Sequence, residues 1–117
     1  MRPDLGRFFE GRLLETVNLM KTVYDAATGT GKDVSVWIDG RELVFGKGDD
    51  QTTRGFLRMI PLEATVVVAF PKGNQILDPQ KRARGYPGSQ TKMTLAHASD
   101  VDVYVRRMIE AAYALEG

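Results

Sequence analysis

Two short runs of alternating apolar and polar residues meet at Asp39-Gly40, and this pattern constrains the fold more than any other feature of the chain. Val34, Val36 and Ile38 alternate with Ser35, Trp37 and Asp39, and a period of two sends successive side chains to opposite faces of a strand. An Asp-Gly pair between such runs favours the positive backbone dihedrals of a two-residue hairpin turn. The pattern predicts an antiparallel hairpin with Ile38 opposite Arg41, Trp37 opposite Glu42 and Val36 opposite Leu43. Val36, Ile38, Leu43 and Phe45 then share one face, and Trp37, Glu42 and Val44 the other.

Further runs of strand type follow. Gly46 to Asp50 reads as a turn, Thr53–Ile60 as a third strand, Ala64–Phe70 as a fourth and Gln90–Leu95 as a fifth. At the two ends the period changes to that of a helix. Phe9, Leu13, Val17, Met20, Tyr24 and Ala27 form one stripe at three-to-four spacing, predicting a helix over about 8–27 with Gly11 as its weak point. Val101, Val105, Met108, Ala112 and Leu115 form a second stripe, opened by Ser99 with Asp102 three residues later in a capping-box arrangement. The expectation is one α+β domain over residues 1–117: a helix, a five-stranded antiparallel sheet and a helix, with both helices on one sheet face.

Composition narrows the function classes. There is no cysteine, which removes disulfides, thiolate metal sites and thiol nucleophiles together. No apolar run reaches the length of a signal peptide or a membrane span, the longest being Ala64–Pro71, so a cytoplasmic location with no membrane partner is expected. His97 is the only histidine, leaving a hydrolytic triad little to work with. Gly29-Thr30-Gly31-Lys32 suggests a phosphate loop, but the first glycine of that motif would stand where Ala26 is. The segment also leaves a helix and enters a strand, the reverse of the order that presents a helix N-terminus to phosphate. The chain therefore reads as a binding or adaptor domain rather than an enzyme.

Two features point to a binding surface. Residues 71–89 form a long loop with three prolines and three glycines, and loops of that length are commonly functional. From Pro71 to Lys92 the bases Lys72, Lys81, Arg82, Arg84 and Lys92 face one acid, Asp78, a local charge of +4 in a chain of net charge +1. Such a loop suits an anionic small molecule or an acidic protein surface. The second feature is the sheet face away from the helices. With Leu57 and Met59 turned inward, Arg54, Phe56 and Arg58 turn outward beside Trp37, and aromatics interleaved with arginines suit flat ligands or single-stranded nucleic acid. The candidate binding residues are thus Trp37, Arg54, Phe56, Arg58, Lys72, Arg82 and Arg84. No cofactor is expected, and the oligomeric state is expected to be monomer or homodimer.

Phe70-Pro71-Lys72-Gly73, Leu77-Asp78-Pro79, Gly85 and Gly88, Lys92 to Leu95, and Asp100-Val101-Asp102 before a helix succeed one another in this order. The succession resembles the YdhG-like domain family over about Thr53 to Leu115, and the N-terminal half resembles that family more loosely. A related uncharacterised domain family shares the arrangement, including a first helix opened by a Phe-Phe-Glu-Gly-like stretch, here residues 8–11. The resemblance implies a frataxin-like fold and, as an alternative function, iron carriage by acids on the first helix. The matching acids are Glu10, Glu15 and Asp25, interleaved here with Arg7, Arg12 and Lys21.

Overall fold

A computed structural model of the chain describes residues 5–48, 55–76, 78–79, 82–83 and 91–116. The expected first helix is two. Gly11 takes a φ of 76°, which ends α1 (Leu5–Phe9), and α2 (Leu14–Thr28) starts afresh three residues later. The restart also turns the buried face. Thr16, Leu19, Met20, Val23 and Ala27 point inward, whereas Leu13 and Leu14, flanking the start, are exposed. Thr16 fixes this phase, because its hydroxyl donates to the Glu63 carbonyl in the turn after β3 at 2.9 Å.

Five strands follow: β1 (Val34–Asp39), β2 (Glu42–Lys47), β3 (Leu57–Pro61), β4 (Val66–Phe70) and β5 (Thr91–Leu95). They pair antiparallel in sequence order, a meander whose outer strands are β1 and β5. A last helix, α3 (Val103–Ala114), closes the chain. The fold is α+β in the order helix, sheet, helix, as the periodicities predict. Among the described residues no helix is long and apolar enough to cross a membrane.

The hairpin register differs from the expected one by two residues. Asp39 pairs with Glu42, Ile38 with Leu43, Trp37 with Val44 and Val36 with Phe45. Gly40 and Arg41 make the turn, with Gly40 at φ 63°, so Asp39 stays extended as the last strand residue. A slip of two keeps every side chain on its face, which is why the two faces are as expected although the partners are not.

One helix-facing layer carries the core. Leu43, Phe45, Leu57, Met59, Val66, Val68 and Phe70 from the sheet meet Leu19, Met20 and Val23 of α2 and Val105, Met108 and Ile109 of α3. The α3 start is a correction in detail. Asp102 is the N-cap, accepting from the Val105 N–H at 3.0 Å, rather than the third residue of a helix begun at Ser99. The preceding residues form a 3-10 turn, Ala98–Asp100, because the Asp100 carboxylate accepts from the Ala96 and His97 N–H groups, each at 2.9 Å. Those two donors are the main reason its carboxyl lies below the ordinary 3.8.

Candidate functional site

The described residues of the long loop are fastened to α3, and the fastening begins at Asp78. Its carboxylate accepts from the backbone N–H of Arg82 at 3.1 Å and of Ala83 at 3.0 Å, and from the Tyr104 hydroxyl. Arg82 then reaches the α3 N-cap, with Nη1 donating to Asp102 Oδ2 at 2.8 Å and the guanidinium lying 4.3 Å from the Tyr104 ring centroid. Burial raises the Asp78 carboxyl, but the Tyr104 hydroxyl, the two N–H donors and the Arg82 charge together hold it below 3.8. The Asp102 carboxyl is lowered chiefly by its hydrogen bond from Arg82, then by the Val105 N–H.

At the other end of α3, Lys72 Nζ lies 3.6 Å from Glu116 Oε1. Lys72 thus stands at the C-terminal end of α3 and Arg82 at its N-terminal end, each held by a polar contact. Between them lies a groove of about 680 Å³. Pro79 lines one side, and Tyr104, Met108, Ala111 and Leu115 the helix side, with Gln75 and Arg107 as its polar groups. The helix residues follow three-to-four spacing, so one stripe of α3 faces the groove beside the stripe that faces the core. The volume is in the range of small-molecule sites, and the apolar wall with few polar groups is their usual character. Arg107 is exposed and, among the described residues, has no acid within 4.0 Å.

The residues singled out from the sequence fall in different places. Arg54 and Arg84 lie outside the described residues. Phe56 is a correction: it is 2% exposed and packs edge-on against Tyr113 of α3, ring centroids 5.6 Å apart. A β-bulge causes this. Phe45 pairs with Leu57 yet also accepts from the Phe56 N–H at 2.8 Å, so two residues of one strand oppose one of the next and both turn inward. Gly55, at φ 74°, makes the bend, and a Cβ there would stand 2.5 Å from the Phe45 carbonyl oxygen.

Trp37 and Arg58 do share the face away from the helices, in one cross-strand row: Trp37, Val44, Arg58, Ala69, Lys92. The row is not bare. Val44 and Ala69 are fully buried, the Trp37 ring lies over Gly46, and the Arg58 side chain is 11% exposed, 3.1 Å from Asp39 and 3.5 Å from Glu42. Lys72 and Arg82 are matched by Glu116 and Asp102. Glu10 stands between the first two helices, Glu15 in the first turn of α2 and Asp25 ten residues further on, about 15 Å along a helix. They do not converge, and the described residues hold no cluster of three metal-ligating side chains.

Sequence reasoning missed Tyr104, Arg107 and Ala111. A signal was present: α3 carries more apolar positions than one buried stripe needs, with Tyr104 and Ala111 seven residues apart beside Leu115. The chain matches no protein-family model, no curated protein and no solved structure.

Proposed function

We propose that this domain is a binding module that takes an amphiphilic anion, an apolar chain with an acidic head, in the groove between the long loop and α3. The observation that carries this reading is the groove itself, about 680 Å³ with an apolar helix wall and Arg107 as its cation. The anionic ligand anticipated for the basic loop is thereby moved to the face where that loop meets α3. Lys72 and Arg82 are engaged with Glu116 and Asp102, and among the described residues Arg107 is the base that lines the groove and can meet a carboxylate or phosphate head. The apolar wall gives affinity through burial, at about 25 cal/mol per Å² removed from water.

Decanoate and decanol are suitable probes, being matched in length and differing in head charge. Thermal unfolding with each is expected to show stabilisation by both and more by decanoate. A ligand at a hundred times its dissociation constant adds about 2.7 kcal/mol, worth several degrees in a domain of this size. Arg107→Ala is expected to erase the preference for the acid, and Ala111→Leu, which fills the groove, to weaken both. Absence of a shift with either probe, or shifts untouched by Ala111→Leu, would refute the reading.

A further inference from the structure

The two edges of the sheet are guarded unequally. β5 carries Lys92 as its second residue, and the 3-10 turn Gly73–Gln75 packs against its first residue, so closely that a Cβ on Gly73 would stand 2.2 Å from the Thr91 Cβ. Both are means by which sheets discourage pairing with another chain. Among the described residues β1 has none of them: its six residues, Val34–Asp39, include no lysine, no proline and no bulge. Its outward backbone groups can be identified. Phe45 accepts from Phe56 on the β3 side, so the Val36–Phe45 pair is not hydrogen-bonded, and the Asp33 carbonyl accepts from the Gly48 N–H. Alternation then directs the N–H and C=O of Asp33, Ser35, Trp37 and Asp39 toward β2, and those of Val34, Val36 and Ile38 outward. Among the described residues those outward groups have no partner, and the Ile38 side chain beside them is 40% exposed.

We infer that the β1 edge pairs with the β1 edge of a second copy of this chain, joining two sheets into one across a two-fold axis. Self-pairing must place outward residues opposite outward residues, and of the registers that do so those centred on Val36 or on Trp37 overlap the most of the six-residue strand. Centring on Val36 sets Asp33 of one copy opposite Asp39 of the other, a like-charge pair. Centring on Trp37 separates these acids, and brings the turn that holds Arg41, an exposed arginine with no acid within 4.0 Å among the described residues, to the end of the strand where the other copy's Asp33 accepts from the Tyr113 hydroxyl, twice by symmetry. In that register Val36 of each copy exchanges hydrogen bonds with Ile38 of the other. The two Trp37 side chains then meet in a non-hydrogen-bonded pair, where cross-strand side chains approach closest. Charge selects the Trp37-centred dimer. This dimer is independent of the groove, which lies on α3.

Sedimentation equilibrium of the intact chain is expected to show a reversible monomer–dimer exchange. Ile38→Lys places a charge on the edge, and Val36→Pro removes an outward N–H without touching a bond to β2. Both are expected to be monomeric at concentrations where the wild type is dimeric, with circular dichroism confirming that each is folded. The register has its own readout, because the chain has no cysteine of its own. Trp37→Cys is expected to form an intermolecular disulfide on mild oxidation, since opposed residues of a non-hydrogen-bonded pair have Cα atoms about 4.5 Å apart. Ser35→Cys, facing Asp39 of the other copy, is expected not to. A wild type that stays monomeric at the highest attainable concentration overturns the inference, as does a dimer that survives both edge variants. A disulfide through Ser35→Cys and none through Trp37→Cys overturns it too.

Discussion

Gly46 and Gly55 stand near each other in the sheet, and a methyl group added to each meets a different obstacle. At Gly46 a Cβ would lie 2.7 Å from the outer atoms of the Trp37 ring, which can swing aside. At Gly55 it would meet the Phe45 carbonyl oxygen at 2.5 Å and Val44 Cγ1 at 2.6 Å, with the backbone at φ 74°. Backbone cannot swing aside, and a side chain at that dihedral is itself strained. Gly46→Ala is therefore expected to cost about 1 kcal/mol and to shift the emission of Trp37, the only tryptophan. Gly55→Ala is expected to cost about 2–3 kcal/mol, combining strain with overpacking. Urea unfolding of both variants measures the difference, and equal losses would contradict the bulge geometry. The same bulge explains the misplaced Phe56. Alternation places Trp37, Val44 and Arg58 correctly on one face, but one extra residue in a strand reverses parity, and nothing in the local residue types marks where it falls.

Among the described residues, the acids whose carboxyls are lowered gather at the start of α3, in the 3-10 turn before it and in the loop that meets it. Asp78, Asp100 and Asp102 all have carboxyls held below 3.8 in the folded protein, by N–H donors, the Tyr104 hydroxyl and Arg82. A carboxyl with a lower folded than unfolded value binds its proton more readily in the unfolded chain. The stabilisation is thus complete above the unfolded value near 3.8 and is lost as pH falls through the folded values. The urea midpoint is expected to be level from pH 7 to 5 and to drop below about pH 4. Asp78→Asn should lower the midpoint at pH 7 while making the acid drop shallower, because that position no longer titrates. A drop of unchanged depth would show that Asp78 is not among the groups responsible. The sequence shows Leu77-Asp78-Pro79 as a loop motif and Asp102 as a helix-terminal acid. It does not show that Arg82, four residues after one and twenty before the other, links them, since that contact exists only once α3 has docked.

For the whole molecule, the fold class follows from periodicity because each element buries one face against the same core, and a buried face must repeat with its own period. The groove does not follow, because its walls belong to segments that meet only after both have packed. A single core shared by the sheet and both long helices also predicts how the chain unfolds. The helices dominate far-ultraviolet circular dichroism, while Trp37 on the outermost strand reports the sheet edge through fluorescence. If one core holds both, the two signals are expected to trace the same urea transition at any given protein concentration. Fluorescence lost ahead of the helical signal would mean that β1 frays as a separate unit. Pairing of β1 edges adds a second dependence. A dimer stabilises only the folded chain, so the shared midpoint is expected to rise with protein concentration. In Ile38→Lys the two traces should still coincide, but at a midpoint that dilution does not move. Coincidence tests the common core and concentration dependence tests the edge, so either can fail without carrying the other with it.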